Sequence, residues 1–245
     1  MKASLRILNL EDNLNDAELN AKMLSARWPH CEFVRVDTRT DFVAALEQKN
    51  FDLILSDYSI PAFNGREALS LAHEKSPGTP FLFVSGTIGE DTAIEALKNG
   101  ATDYVLKQRL MRLIPAVDRA LREAAERAEC ERAEQCMRES EHKYRQVFEN
   151  LGEAAFLMEE LTGKIVDTNR CAEKMLGCGR GEILGRKQDQ FLTVLDRAKL
   201  MDKSAFECTM NQADGNVLQV QVHVTKLTVH THSLVLWLCR EIAGH

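Results

Sequence analysis

Between residues 5 and 109, short apolar runs alternate with amphipathic segments, and this alternation narrows the fold more than any other feature of the chain. The runs cover residues 5–10, 31–36, 51–56, 81–84 and 104–106, with helix-like segments at 16–26, 39–48, 65–73 and 91–99. Strands separated by helices of about ten residues predict βαβ units and a parallel sheet. Five such units make an α/β, doubly wound domain of about 110 residues. Asn99-Gly100 is a good helix stop, because glycine tolerates the left-handed cap. In a parallel sheet the C-terminal strand ends share one edge, so residues remote in sequence converge there. At those ends stand Glu11 and Asp12, then Asp57, Ser85 and Lys107.

Three carboxylates, a hydroxyl and an ammonium at one point can hold a divalent metal and accept a phosphoryl group. Mg²⁺ takes hard oxygen ligands, usually one or a few carboxylates completed by water and phosphate. Glu11, Asp12 and Asp57 would supply that set, with the Ser59 backbone carbonyl as a neutral ligand. Asp57 is the candidate nucleophile, since an aspartate can form an acyl phosphate. Ser85 and Lys107 would contact the phosphoryl oxygens opposite the metal, where positioning and charge carry the chemistry.

Composition excludes several other classes. A net charge of −6 and the absence of a Lys/Arg cluster or basic recognition helix argue against direct nucleic-acid binding. No apolar run approaches the roughly 18 residues of a membrane span, and the N-terminus enters a strand pattern with no signal peptide. Seven cysteines without a C-x-x-C pair suggest reduced thiols in a cytoplasmic protein. A phosphatase-type hydrolase would need a second Asp two residues after the nucleophile, and that position is Ser59.

At 245 residues the chain is long enough for a second domain. From Leu110 the texture changes: there is no Pro or Gly between Pro115 and Leu151, and Ala, Glu and Arg dominate. This predicts a helical linker over 110–150, roughly 60 Å long at 1.5 Å per residue. Apolar residues recur at Ile114, Val117, Leu121, Ala124 and Ala128, then in a shifted phase at Cys130, Ala133, Met137, Tyr144, Val147 and Leu151. The expectation is an imperfect coiled coil joining two copies of the chain. Residues 152–245 are α+β in pattern. Strands are expected at 156–158, 164–166, 205–211, 217–225 and 233–239, with a helix at 169–176 and a hairpin signal at Asp214-Gly215.

Taken together, the first domain resembles the receiver domain of two-component response regulators. The resemblance rests on Leu10-Glu11-Asp12, on 53–57 with Pro61 and Gly65 following at four-residue steps, on Ser85-Gly86-Thr87 and on 103–107. It covers about residues 5–120 and implies a flavodoxin-like fold. It further implies that Asp57 takes phosphate from a sensor histidine kinase, with Ser85 and Tyr104 as a switch pair. The family often has Pro after the lysine; here it is Gln108.

The second domain resembles a PAS domain. It carries Tyr144-Arg-Gln-Val-Phe148, 163–169, Ala172-Glu-Lys-Met-Leu176-Gly177 and Glu182-Ile-Leu-Gly185 in order. Asn169 is placed to cap a helix, and Gly177 and Gly185 suit turns of positive φ. No His lies between Lys143 and Val222 to hold haem, and the Asn-Cys-Arg core of the photoactive flavin class is missing. The PAS ligand is therefore unassigned. The expected domains are a receiver at 1–120, a linker at 110–150 and a PAS domain at 144–245. The expected function is a Mg²⁺-dependent phosphoacceptor regulator that signals through the linker helix. Its partners would be a sensor histidine kinase or phosphotransfer protein and a second copy of the chain. The rival reading is a PAS small-molecule sensor or dimerisation scaffold with a vestigial receiver. Such pairs often precede a kinase or cyclase module, and none fits after Arg240.

Overall fold

A computed structural model describes residues 5–48, 51–61, 63–86, 90–193, 204–229 and 232–242. Its contacts divide the chain into two compact units, Met1–Gln135 and Cys136–His245.

The first unit runs β1 (Arg6–Leu10), α1 (Leu14–Arg27), β2 (Glu32–Val36), α2 (Arg39–Glu47) and β3 (Leu53–Ser56). A small hairpin, β4 (Ser59–Ile60) with β5 (Phe63–Asn64), precedes α3 (Gly65–Lys75). Then come β6 (Phe81–Ser85), α4 (Glu90–Lys98), β7 (Asp103–Leu106), a 3₁₀ turn at Lys107–Arg112 and α5 (Leu113–Glu149). The five long strands form one parallel sheet in the order β2-β1-β3-β6-β7. That is the flavodoxin-like winding, with the strand order reversing between β1 and β3.

Both faces of this sheet are covered, which is why its strands are near-continuous apolar runs. Leu8, Leu10, Ile54, Phe81 and Phe83 pack on one side against Phe42, Leu46, Ala68 and Leu69 of α2 and α3. Ile7, Leu53, Leu55, Leu82 and Val84 pack on the other against Leu24 of α1 and Leu113, Val117 and Ala120 of α5. Gly65 starts α3 where a Cβ would stand 2.9 Å from the Phe83 ring and from the Tyr58 backbone, so no larger residue fits.

The apolar repeat at Ile114, Val117 and Leu121 therefore belongs to the receiver core, not to a coiled-coil seam. Helix-on-sheet burial and a coiled coil use nearly the same spacing, and spacing alone could not separate them. From residue 125 to 144 every side chain of α5 is exposed, Met137 at 73% included.

The second unit contains β8 (Ala154–Glu159), β9 (Ile165–Thr168), α6 (Arg170–Leu176), α7 (Arg180–Ile183), β10 (Leu192–Thr193), β11 (Ala205–Asn211), β12 (Val217–Val229) and β13 (His232–Glu241). They form an antiparallel sheet in the order β10-β11-β12-β13-β8-β9. One face buries Phe156, Met158, Val220, Val222, Trp237 and Cys239 beneath Ala172, Leu176 and Ile183. Gly177 ends α6 at φ 72°, and Asp214 accepts from the Asn216 N–H at 2.9 Å in the β11–β12 turn. β11 coincides with the expected 205–211, while β8, β12 and β13 run longer than the sequence pattern suggests, because ladder pairing continues where side-chain alternation has already faded.

Candidate phosphoacceptor site

The register of the parallel sheet aligns the strand ends that carry the candidate residues. Leu10 pairs with Ser56, Ser56 with Phe83, and Ser85 with Leu106. The next residue along β1 and along β3 is then a carboxylate. The Asp57 N–H donates to Leu10 O at 2.9 Å and the Glu11 N–H to Val36 O at 3.0 Å, so both acids stay in ladder geometry at the sheet edge. Glu11 is 1% exposed and Asp57 8%, while Asp12 lies open to solvent.

Lys107 follows β7 and reaches across this edge. Its ammonium lies 2.7 Å from Asp57 Oδ2, 2.9 Å from Glu11 Oε2 and 2.6 Å from Asp16 Oδ2. Gln108 in the place of the family's frequent proline does not prevent this reach. Burial by itself would lower the lysine's pKa. The carboxylates of Asp16, Asp57 and Glu11 outweigh it and hold the ammonium above the ordinary lysine value. Glu11 is shifted upward, first by burial and then against the opposing pull of Lys107.

One oxygen from each of Glu11, Asp12 and Asp57 lies within 4.8 Å of the others. Glu11 Oε2 is buried against the Lys107 ammonium at 2.9 Å. A buried carboxylate beside two further carboxylates, with a single lysine among them, suits a hard divalent cation, and these residues fit Mg²⁺.

Ser85 is 1% exposed at the end of β6. Tyr104, one strand over, is half-buried and packs on the apolar cluster around Phe83. Its hydroxyl is buried beside Ser85, and burial raises its pKa. Thr87 and Gly89 lie outside the described residues.

Sequence reasoning missed two residues of the site. Asp16 stands in the first turn of α1, behind the Asn13 cap whose side chain accepts from the Asn15 and Asp16 N–H groups. A helix that starts at a sheet edge aims its first turn at that edge, and this was the usable signal. Arg35, on β2, donates from Nε to Glu11 O at 2.9 Å and from its terminal nitrogen to Asp12 O at 3.0 Å. It pins the main chain of the acidic pair. No local pattern announces a contact between residues 24 positions apart.

Among the described residues of the second unit, the buried Asp167 and Asn169 gather polar partners that work as a clamp. Asp167 on β9 accepts from the Tyr144 hydroxyl at 3.1 Å and pairs with Arg145 at 3.4 Å and Arg180 at 2.8 Å. Asn169, fully buried, donates to Phe148 O and Glu153 O and accepts from the Ala155 and Ala172 N–H groups. These bonds fasten the end of α5 to the sheet. Cys239 is buried in the core, and burial raises its thiol pKa. All seven cysteines are free thiols.

Residues 7–118 match the response regulator receiver domain family and residues 142–209 match the PAS domain family. The chain carries a receiver domain followed by a PAS domain. Its receiver is 35% identical over 91 residues to the regulatory protein LuxO of Vibrio cholerae, covering 37% of this chain and 20% of LuxO. It is 31% identical over 104 residues to the response regulator protein FleR of Pseudomonas aeruginosa, covering 42% of this chain and 21% of FleR. The chain thus spans about a fifth of the length of these curated relatives. Among solved structures, a receiver domain of a putative LuxO repressor from Vibrio parahaemolyticus aligns with TM-score 0.48 at 22% identity, covering 52% of this chain and 98% of that one. A PAS domain of an HTR-like protein from Haloarcula marismortui aligns with TM-score 0.42 at 24% identity, covering 46% and 99%. Among the described residues no helix is long and apolar enough to cross a membrane.

Proposed function

We propose that this chain is a phosphoacceptor regulator in which Asp57 is phosphorylated by a histidine kinase or phosphotransfer protein. The observation that carries the reading is the convergence of Glu11, Asp12, Asp57 and Lys107 on one sheet edge. An Asp57 carboxylate oxygen bonds to the phosphorus as the phosphorus–nitrogen bond of the donor phosphohistidine breaks. The imidazole leaves with that electron pair. Mg²⁺, held by Glu11, Asp12, Asp57 and the Ser59 carbonyl, would supply charge against the phosphoryl oxygens. Lys107 and the Ser85 hydroxyl hold the remaining oxygens, so the chain's work is orientation and charge compensation.

Phosphorylation takes Asp57 out of its ion pair with Lys107 and gives Ser85 a new acceptor. The Tyr104 ring then turns with Ser85, changing the face formed by α4, β7 and α5. The change passes along the 110–150 helix to the PAS domain, which serves as a sensor or dimerisation module for a homodimer. The protein acts in the cytoplasm through protein contacts, as a regulator and not a turnover enzyme.

The test is incubation with Mg²⁺ and a small acyl-phosphate donor, followed by intact-protein mass spectrometry. One phosphoryl group should appear on wild type and none on Asp57→Asn. Equal labelling of the variant, or none of wild type, ends this reading.

A further inference from the structure

The ammonium of Lys107 is shared by three carboxylates, and the shortest of its contacts is the one that the phosphoacceptor reading leaves unused. Asp16 Oδ2 lies 2.6 Å from Lys107 Nζ, closer than Asp57 at 2.7 Å or Glu11 at 2.9 Å. Asp16 is itself held in place. It sits in the first turn of α1, where the Asn13 side chain accepts its backbone N–H at 3.4 Å, and its charge complements the positive end of the helix. Its side chain is one-third exposed, at 33%, on the α1 side of the lysine, and it is no member of the Glu11–Asp12–Asp57 metal set.

We propose that Asp16 is a positioning residue for Lys107, anchoring the ammonium so that it is already aimed at a phosphoryl group on Asp57. The inference deepens the phosphoacceptor reading and rests on it for its kinetic part. A lysine side chain carries large rotamer entropy, which has to be given up whenever its head is fixed. An ammonium has three N–H donors. With one of them committed to Asp16, the head stays at the sheet edge when Asp57 and Glu11 turn to the metal, and another donor remains for the phosphoryl oxygen.

The sign of the effect separates this role from simple charge. Removing a negative charge beside the site would, through the field alone, ease the approach of an anionic donor and speed labelling. Loss of an anchor slows it. Four full-length proteins are compared: wild type, Asp16→Asn, Lys107→Met and the double variant. Initial labelling by a small acyl phosphate with Mg²⁺ should fall about three- to tenfold from wild type to Asp16→Asn, a coupling of ordinary size for neighbouring groups. Between Lys107→Met and the double variant it should stay level or rise.

A metal-free readout accompanies this: hydrogen exchange of β1 and β3 amides in EDTA. With Lys107 present, Asp16→Asn removes an attraction and protection should fall. In the Lys107→Met background it relieves repulsion among three carboxylates, and protection should rise. Labelling of Asp16→Asn at or above the wild-type rate overturns the proposal, as does a change in protection of the same sign in both backgrounds. If wild type takes no label, the phosphoacceptor reading is lost, and the exchange data still decide whether Asp16 acts through Lys107.

Discussion

The receiver and PAS domains each hold a buried aspartate among cations, and the two are built for opposite ends. Asp57, 8% exposed, lies at the open edge of a parallel sheet, beside two more carboxylates and one lysine. Asp167, also 8% exposed, lies on a strand of an antiparallel sheet, where Tyr144, Arg145 and Arg180 close around it. The first cluster has more anions than cations, so a cation or a phosphoryl group can still change its balance. The second is satisfied by its own neighbours and has nothing left to bind. Burial of a charge does not by itself mark a functional site; the incomplete pairing does.

The sharpest way to break this comparison is to remove the polar groups of each domain in turn. Asn169→Ala should have the largest effect on stability, about 3–5 kcal/mol, since it removes four side-chain hydrogen bonds of a fully buried amide, three of them buried. Chemical denaturation followed through Trp237, in the PAS core, measures it, and Mg²⁺ binding by the receiver should not change. Asp12→Asn should do the reverse. Mg²⁺ affinity by calorimetry should fall about tenfold or more with stability little altered, because Asp12 is exposed and offers a ligand, not a core contact.

A pH titration sharpens the contrast further. Tyr144 is pushed up to about 12, first by burial and then by the Asp167 charge. A raised folded-state value means that the protonated phenol contributes stability in full below pH 10. That stability is lost as pH rises from 10 through about 12. The PAS domain should show this alkaline weakening in near-ultraviolet circular dichroism, and Tyr144→Phe should remove it. The smallest expected effect is Arg35→Lys. A lysine cannot reproduce the forked contact to the Glu11 and Asp12 carbonyls, and Mg²⁺ affinity should drop about two- to threefold, read by the same calorimetry.

The receiver was legible because its strands are short, apolar and regularly spaced, and because its site residues occupy the same place in successive βα units. The helix at 110–150 was legible as a helix and misleading as a coiled coil at its start. Ile114, Val117 and Leu121 carry a period that a neighbouring sheet uses as readily as a second helix. In the PAS domain β12 was located with shorter bounds, since it continues to Val229 past the end of its inward-facing apolar positions. Gly177 and Asn169 took the roles their chemistry suggested, as left-handed cap and helix N-cap. Asp16 and Arg35 went unseen because nothing in their own neighbourhoods distinguishes them from surface charges.

Period, caps and strand-end residues are local properties, set by side chains within a few positions of one another. The amino-acid order by itself determined the parallel sheet, the long helix, the α+β second domain and the identity of the acids, hydroxyl and lysine at the strand ends. Which carboxylates share Lys107 and which aspartate is clamped shut were decided only by tertiary structure. They depend on distances of a few ångströms between residues up to 91 positions apart. Charge interactions change steeply over such distances, and sheet register and helix placement set them.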